Sequence, residues 1–245
     1  MSVEQKSVIV TGASRGIGRA IAERLAADGY AVVVNYAGNR AAADEALAAI
    51  SASGGKAIAV QADVAKSADV VRLFDETEKA FGGVDALVNN AGVMSMIPIA
   101  ETEEAAFERM FNVNVRGTFL TLREACKRMR DGGAIVNFST SATLLQLPGY
   151  ATYCATKAAV DVYTMILAKE MRGRSIRVNA VAPGPVATEL FLDGKSPETV
   201  SRLANLNPFA RLGEPEDIAR VVAFLLSPEA GWINGQTVRA NGGMN

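Results

Sequence analysis

The chain has 245 residues, of which 49% are hydrophobic and 21% charged, and its formal net charge is −1. This length suits a single α/β domain, and the apolar fraction is enough for a large buried core. The near-zero charge gives no electrostatic basis for binding nucleic acid or an anionic membrane. No apolar run approaches the roughly 18 residues of a membrane helix, and the first residues lack signal-peptide features. We therefore expect a cytoplasmic protein without a nucleic-acid or membrane partner.

Histidine is absent from the chain. Its absence excludes Ser-His-Asp and Cys-His catalysis, imidazole as a general base and the usual zinc sites. The two cysteines, Cys126 and Cys154, have no metal or redox spacing, so we predict no metal site. If the protein is an enzyme, another side chain must transfer protons.

Short apolar runs alternate with longer amphipathic stretches along the chain. The predicted strands are 7–12, 31–36, 56–63, 85–92, 134–141, 176–184 and 235–241. The predicted helices are 16–29, 40–53, 67–81, 107–129, 153–171 and 215–227. Strands that are apolar throughout and separated by helices indicate an α/β fold with a Rossmann-like, doubly wound parallel sheet flanked by helices. We predict one domain over 1–245, with an irregular segment at 185–208 that acts as a lid.

The first predicted strand runs into the sequence TGASRGIG, which suits a phosphate-binding loop. Glycines permit a tight turn, close approach of the backbone to a pyrophosphate and close helix–strand packing, and the N-terminus of the next helix favours an anion. No Gly-Lys-Ser/Thr follows, which disfavours a P-loop nucleotide hydrolase. The predicted cofactor contacts in this loop are Gly12, Ser14, Arg15, Gly16, Ile17 and Gly18.

The end of the second predicted strand bears on the identity of the cofactor. NAD-binding sheets usually place a carboxylate there, on the ribose hydroxyls. Here the chain has Asn35, Tyr36, Asn39 and Arg40, and Arg15 could reach the same place. Neutral amides and arginines suit a 2′-phosphate, so NADP(H) is favoured and NAD(H) is the alternative. The competing interpretation is that both arginines are solvated loop residues.

Asp63 and Val64 follow the third predicted strand. The Asp63 side chain could accept a hydrogen bond from the adenine amino group. An aspartate at a strand end is also a common helix N-cap, so both interpretations stay open.

Several further motifs stand in a fixed order along the chain. They are NNAG (89–92), Asn114 within NVNVRG, NFSTS (137–141), Tyr153-x-x-x-Lys157, NAVAPGPVAT (179–188) and a C-terminal NGGM. With TGASRGIG, these motifs resemble the short-chain dehydrogenase/reductase family over residues 7–243, and in particular 3-oxoacyl-acyl-carrier-protein reductases. The resemblance implies reversible hydride transfer between a nicotinamide cofactor and a ketone or secondary alcohol, by a homotetramer.

The resemblance also implies roles for individual residues. Tyr153 matches the catalytic acid/base, Lys157 the residue that binds the nicotinamide ribose and lowers the tyrosine pKa, and Asn114 the residue that holds a relay water. The family's serine position falls on Thr140, flanked by Ser139 and Ser141, so Thr140 and Ser141 both stay candidates. Further predicted cofactor contacts are Asn90, Ala91, Gly92, Tyr153, Lys157, Pro183, Gly184, Val186 and Thr188.

The chemistry of the tyrosine–lysine pair is consistent with that role. Residues four apart share one helix face, and a nearby cation favours phenolate over phenol. Alone, such a pair is a weak signal, because exposed helices often contain it. The hydroxyl cluster at 137–141 lies at a predicted strand end and precedes the pair in sequence. It supports a site at that strand end, since ligands bind at the carboxyl ends of the strands in such sheets.

The expected pocket walls, 92–100, 142–150 and 185–208, are apolar and predict a ketone or an acyl thioester as substrate. An acyl carrier protein is a candidate partner, with basic residues beside the pocket mouth. The candidates are Arg128, Arg130, Arg172 and Arg174. The helices 107–129 and 153–171 and the last strand are the expected oligomer interfaces.

Two other functions are alternatives for this sequence. One is a non-catalytic dinucleotide-binding regulator or scaffold on the same fold, against which Asn114, Tyr153 and Lys157 argue. The other is a sugar-nucleotide epimerase, which is disfavoured because such relatives usually carry a larger C-terminal substrate domain.

Overall fold

The computed structural model describes residues 5–245 and places seven strands in one sheet. The strands are β1 (Ser7–Val10), β2 (Ala31–Tyr36), β3 (Lys56–Gln61), β4 (Val84–Asn89), β5 (Met129–Phe138), β6 (Arg177–Pro183) and β7 (Thr237–Ala240). Their order is β3-β2-β1-β4-β5-β6-β7, and every neighbouring pair is parallel. The predicted doubly wound α/β fold is confirmed.

The helices that connect the strands cover both faces of the sheet. They are α1 (Gly16–Ala27), α2 (Arg40–Ala52), α3 (Ser67–Phe81), α4 (Glu104–Met110), α5 (Thr118–Arg128), α6 (Ala142–Leu145), α7 (Ala151–Glu170), α8 (Glu189–Leu192), α9 (Pro197–Ala204) and α10 (Pro215–Leu226). No helix in residues 5–245 combines the length and apolarity that crossing a bilayer requires.

Alternation along the strands divides the core into two layers. Val8 and Val10 of β1 pack in one cluster with residues of α1, α2 and α10. Ile9 points to the other face and packs with residues of α3, α5 and α7. Because successive side chains of a strand point to opposite faces, a strand buried on both sides is apolar at most of its positions.

Four of the predicted strands end two or three residues earlier than expected. The strands predicted at 7–12, 56–63, 85–92 and 134–141 end at Val10, Gln61, Asn89 and Phe138. The next residues leave the sheet and form loops at its carboxyl edge. The residues that follow these strands include glycine, asparagine, serine and threonine. They lie at the carboxyl edge of the sheet, where a ligand site is expected.

The helix predicted at 107–129 is interrupted. It consists of α4, a π-helical turn at Phe111–Gly117 and α5. Asn114 lies inside the π turn and is 1% exposed. A π turn inserts an extra residue per turn and is frequent at functional sites. Apolar periodicity does not reveal this insertion.

The segment predicted as irregular at 185–208 contains α8 and α9. Thr188 caps α8, and its hydroxyl accepts a hydrogen bond from the Phe191 N–H at 3.2 Å. Ser196 caps α9, and Pro197 occupies its first turn. Serine followed by proline is a helix-start signal, so the sequence carried the evidence for α9. A lid role for this segment stays a prediction.

Candidate active site

Helix α7 docks its Tyr153–Lys157 face on the end of β5. The Lys157 ammonium donates a hydrogen bond to the Phe138 carbonyl at 2.9 Å and lies 5.8 Å from the centre of the Tyr153 ring. The Tyr153 hydroxyl has a hydrogen-bond partner in the Thr140 side chain. Lys157 is only 5% exposed and Tyr153 is half-buried, so this helix face places a phenol and a largely buried cation side by side.

Burial shifts both groups of this pair. It raises the pKa of Tyr153 to about 12, and the hydrogen bond with Thr140 opposes the rise. It lowers the pKa of Lys157 to about 8, and the charge of Asp161 opposes that fall. The pKa of the phenol was expected to fall, but desolvation of the phenolate is the largest effect and raises it. At neutral pH the protein therefore holds a neutral phenol beside an ammonium.

The three hydroxyls at the end of β5 point to different partners. Ser139 donates to an Asp161 carboxylate oxygen at 2.9 Å. Ser141 donates to the Ala182 carbonyl and accepts from the Asn241 side chain, each at 3.0 Å. Thr140 accepts from the Ala142 N–H at 3.2 Å and is the hydroxyl directed at Tyr153. Ser141 instead ties the end of β6 to the C-terminal segment.

The Asn114 amide is fully engaged in holding the loop after β4. Its Oδ1 accepts from the Val93 N–H at 2.9 Å, and its Nδ2 donates to the Val93 carbonyl at 2.8 Å. Nδ2 also donates to the Thr156 hydroxyl of α7 at 3.1 Å. A Cβ on Gly92 would lie 3.3 Å from Asn114 Oδ1 and 3.5 Å from Lys157 Nζ, so the π turn, this loop and α7 meet at one point.

The glycine loop forms a tight cradle between β1 and α1. Gly12 and Gly16 have positive φ angles of 62° and 54°. A Cβ on Gly18 would lie 2.3 Å from the Gly12 carbonyl oxygen, so only glycine fits there. Within residues 5–245 the N-cap of α1 makes no side-chain hydrogen bond, so N–H groups of the first turn can donate to an anion. These features fit the pyrophosphate of a dinucleotide.

Two asparagines hold this cradle rather than leaving their amides free for a ligand. Asn90 Nδ2 donates to the carbonyls of Thr11 and Gly12 at 2.9 and 3.0 Å. Asn35 is 1% exposed, and its Oδ1 accepts from the Gly12 N–H at 3.2 Å. Its Nδ2 donates to the carbonyls of Val60 and Ala62. The expected cofactor contact of the Asn35 side chain near the 2′-phosphate is therefore corrected to a structural role, because its hydrogen-bonding groups are already used inside the sheet.

The remaining residues predicted near the 2′-phosphate lie at the ends of β2 and of the glycine loop. Arg40 forms an ion pair with Asp44 at 2.8 Å and hydrogen-bonds Tyr36, whereas Asn39 caps α2 through the Ala42 N–H. Arg15 forms a 2.6 Å ion pair with Glu189. Both arginine side chains are about two-thirds exposed, at 66% and 67%, so either can turn toward an anion. Their present partners are surface pairs of small energy.

Asp63 and Val64 take different positions after β3. Asp63 Oδ1 accepts from the Ala65 N–H at 3.0 Å, and its side chain is 38% exposed. It makes this local turn and caps no helix, because α3 begins at Ser67 after Lys66. Val64 is buried and would contact a Cβ on Gly117 at 2.8 Å. Val64 therefore packs against the π turn.

A cleft of about 160 Å³ runs along the carboxyl ends of the strands. Eleven of the predicted site residues line it: Ile17, Asn90, Gly92, Thr140, Ser141, Tyr153, Lys157, Pro183, Gly184, Val186 and Thr188. Ala91 and Gly12 meet just outside it, where a Cβ on Gly12 would lie 3.0 Å from the Ala91 Cα. Ser14 lies in the turn before α1. The fold thus brings the glycine loop and the tyrosine–lysine pair to one cleft.

Apart from Ser139 and the Tyr150 hydroxyl, the rest of the cleft wall is apolar. Its lining side chains include Met94, Leu145, Leu147, Tyr150, Leu190, Phe191, Leu203 and Met244. Lys157 is the only lysine, arginine or acidic residue among the cleft residues identified in the described chain. Met244 was not expected. It follows Asn241, whose contact with Ser141 brings the C-terminal segment to the cleft. The sequence feature that could have identified Met244 is the C-terminal NGGM motif, of which it is the last residue.

The arginines proposed for a carrier protein do not lie beside the cleft. Arg128 ends α5 just before β5, where it pairs with Asp75 and Glu78 at 2.6 and 2.7 Å. Arg130 pairs with Asp85 at the start of β4, and Arg174 pairs with Asp131. Arg172 lies in the turn Met171–Arg174 before β6. All four belong to the amino edge of the sheet, opposite the cleft, so the expectation that they flank the mouth is wrong.

Two further residues of α7 were missed. Thr156 receives the Asn114 hydrogen bond, and Asp161 accepts from Ser139 and from Thr237 of β7, each at 2.9 Å. Thr156 lies three residues after Tyr153, and Asp161 lies four residues after Lys157, so both belong to the same face of α7. Extending that face along the predicted helix would have identified them.

Comparison with known proteins agrees with this geometry. Residues 12–245 match the family model described as Enoyl-(Acyl carrier protein) reductase. The chain is 49% identical to a short-chain type dehydrogenase/reductase of Picea abies, covering 96% of this chain and 90% of that protein. It is 43% identical to an NADPH-dependent aldehyde reductase-like protein of Arabidopsis thaliana, with coverages of 96% and 92%.

Two other similarities concern reduction of oxo groups. The chain is 42% identical to the 3-oxoacyl-[acyl-carrier-protein] reductase FabG of Staphylococcus aureus, covering 98% of each. Its structure matches the angucycline C-6 ketoreductase LanV, solved with bound NADP, at a TM-score of 0.93 and 40% identity, covering 98% of this chain and 95% of that one. The chain therefore belongs to the short-chain dehydrogenase/reductase family and is an oxidoreductase, as the motifs predicted.

Proposed function

We propose that this protein is an NADP(H)-dependent reductase of ketones, with Tyr153 as the proton donor. The observation that carries the proposal is the meeting of Thr140, Tyr153 and Lys157 at the cleft that the glycine loop also enters. NADPH bound along the glycine loop would supply the hydride. The test is consumption of NADPH by the purified protein over a panel of apolar ketones. Absence of turnover with every ketone, despite NADPH binding, would favour the non-catalytic alternative.

The protein's own groups suit the reductive direction. A ketone that receives hydride becomes an alkoxide, which needs a proton donor and a hydrogen bond. Burial keeps Tyr153 protonated at neutral pH, since its pKa is raised to about 12. The Thr140 hydroxyl would hold the substrate oxygen next to the phenol, and the Lys157 ammonium would stabilise negative charge that develops on the tyrosine. Asn114 would act by holding the loop of Gly92 and Val93 beside Lys157.

Thr140→Ala is expected to lower kcat for ketone reduction by about 10²-fold, the usual effect of removing one donor to a developing oxyanion. The comparison is Ser141→Ala, whose hydroxyl contacts Ala182 and Asn241 and is expected to have a smaller effect on kcat. Steady-state kinetics at saturating NADPH measures both. A larger loss in Ser141→Ala than in Thr140→Ala would reverse the assignment.

The preference for NADP(H) over NAD(H) is assigned to the exposed Arg15, in the glycine loop before α1, and the exposed Arg40, at the start of α2. Arg40→Leu is expected to weaken NADPH binding by about 10-fold or more, since hydrogen bonds to charged groups contribute about 1.5–3 kcal/mol. NADH binding should not change. Arg24→Leu is the matched control, because Arg24 pairs with Asp28 at the far end of α1. An equal loss for NADH and NADPH in fluorescence titrations would contradict the assignment.

The substrate is proposed to be an apolar ketone or a 3-oxoacyl thioester. The cleft wall offers methionine, leucine and phenylalanine side chains, and no charge besides Lys157 among the lining residues identified in the described chain. A free carboxylate next to the reacting carbonyl would find no second cation there. If an acyl carrier protein delivers the substrate, it must dock on residues of this protein other than the four arginines, which lie at the amino edge of the sheet. A cytoplasmic location stays a prediction.

We also propose a homotetramer, as in the family. The outer faces of α5 and α7 expose Phe119, Val162, Met165 and Ile166 by 46, 46, 46 and 51%. Large exposed side chains concentrated on two helices are typical of an interface. Ile166→Glu is expected to reduce the mass in solution measured by light scattering, whereas Lys79→Glu on α3 should not. An unchanged mass for Ile166→Glu would contradict an interface at α7.

A further inference from the structure

The face of α7 that carries Tyr153 and Lys157 continues for two more turns of the helix. Each position on it contacts a residue at the end of β5: Tyr153 contacts Thr140, Lys157 contacts Phe138, Asp161 contacts Ser139 and Thr164 contacts Asn137. Asp161 also contacts β7, because its second carboxylate oxygen accepts from the Thr237 hydroxyl at 2.9 Å. Asp161 thus connects α7, β5 and β7.

Both hydrogen bonds of the Asp161 carboxylate come from neutral hydroxyls. Within residues 5–245, no lysine or arginine forms an ion pair with it. Arg239 of β7 lies two residues after Thr237 and so points to the same face of the sheet, but within residues 5–245 it forms no ion pair with Asp161. The negative charge at Asp161 therefore lacks a contacting counter-ion in the described chain, and Lys157 is the cation one helical turn away.

The Lys157 ammonium, like the Asp161 carboxylate, makes its hydrogen bond to an uncharged group. Lys157 is 5% exposed, and its ammonium donates to the neutral Phe138 carbonyl. The groups that face it from other elements, Gly92 and the Asn114 amide, are uncharged. On α7 itself the titratable neighbours are Tyr153, which burial keeps neutral, Cys154, whose thiol pKa burial raises, and Asp161. The pKa values agree with this arrangement, because burial lowers the pKa of Lys157 to about 8 and the Asp161 charge opposes that fall.

We propose that Asp161 is a positioning residue that keeps Lys157 in its ammonium form at neutral pH and fixes the lysine's helix on the ends of β5 and β7. The proposal rests on the proposed function only in that the protonated lysine is the form that catalysis uses. No reacting group need touch Asp161.

The sign of the expected effect follows from the charges. Removing the negative charge disfavours the ammonium, so the pKa of Lys157 falls further below its ordinary value. The neutral amine then dominates at a lower pH, and the alkaline limb of kcat/KM moves to lower pH. Asp161→Asn is nearly isosteric, and the hydroxyls of Ser139 and Thr237 can accept as well as donate, so its hydrogen bonds can be retained.

The test is the pH profile of kcat/KM for ketone reduction in wild type, Asp161→Asn, Asp161→Glu and Thr164→Val. We expect the alkaline limb of Asp161→Asn to lie about one pH unit lower, while Asp161→Glu keeps the wild-type limb. Thr164→Val removes the neighbouring uncharged contact with Asn137 and should leave the limb in place. A lower kcat in Asp161→Asn with an unmoved limb, or an equal displacement in Asp161→Glu, would overturn the proposal.

A second measurement separates this proposal from the proposed function. NMR titration of ¹³Cε-labelled lysine follows the Lys157 signal, assigned by its loss in Lys157→Arg, in protein without substrate. A lower Lys157 pKa in Asp161→Asn supports the proposal even if no ketone is reduced, and an unchanged value overturns it. If Asp161→Asn fails to fold, the comparison is made with Asp161→Ser under the same criteria. Failure of the wild type to reduce any ketone would count against the proposed function alone.

Discussion

Tyr153→Phe is expected to lower kcat for ketone reduction by about 10²- to 10⁴-fold, the contribution typical of general acid catalysis. The substitution removes one oxygen atom and leaves the ring, which lies 5.8 Å from the Lys157 ammonium. NADPH binding should be retained, because the glycine loop is built from other residues. Steady-state kinetics and a fluorescence titration of NADPH measure the two quantities separately.

The matched control for this variant is Tyr150→Phe. Tyr150 is a second phenol on the cleft wall, but it has Cys154 four residues on where Tyr153 has Lys157. Loss of its hydroxyl should leave kcat near the wild-type value. If Tyr153→Phe and Tyr150→Phe lose activity equally, or if Tyr153→Phe reduces ketones at the wild-type rate, the phenol of residue 153 is not the proton donor.

Gly18→Ala is expected to weaken NADPH binding by about 10- to 100-fold. The added Cβ would lie 2.3 Å from the Gly12 carbonyl oxygen and 2.5 Å from Asn90 Nδ2. The first contact is backbone, and the second is the side chain that holds the loop, so neither can move without opening the cradle. Overpacking of this kind typically costs about 1–3 kcal/mol.

The control for the cradle is Gly173→Ala. Among residues 5–245, nothing lies within 4 Å of a Cβ at Gly173, and this residue belongs to the turn at the opposite edge of the sheet. Its NADPH affinity should equal that of the wild type. Wild-type affinity in Gly18→Ala would show that the loop at residues 12–18 does not bind the cofactor.

The fold could be predicted because its strands are buried on both faces. Residues such as Val8, Ile9 and Val10 must all be apolar, and glycines mark the ends of α1 and α3. The π turn at Phe111–Gly117 could not be predicted, because one inserted residue does not disturb an apolar pattern enough to be seen. The strand predicted at 134–141 was too long. Ser139 and Ser141 are buried like residues of the strand, but they lie outside the sheet.

The site could be predicted where spacing along one element decides it. Tyr153 and Lys157 share a helix face, and the three glycines share one loop. Contacts between distant segments could not be predicted, which is why the role of Asn35, bonded to Gly12 and β3, was misjudged. The sign of the Tyr153 pKa change also depended on burial, which the local sequence does not give.

The most direct test of the account is a crystal structure of the protein with NADP⁺ and a secondary alcohol that it oxidises. We predict that the alcohol oxygen lies within about 2.6–3.2 Å of both the Tyr153 hydroxyl and the Thr140 hydroxyl, with Lys157 beneath the phenol. An alcohol bound in the cleft with the Tyr153 hydroxyl directed away from its oxygen would contradict the central claim.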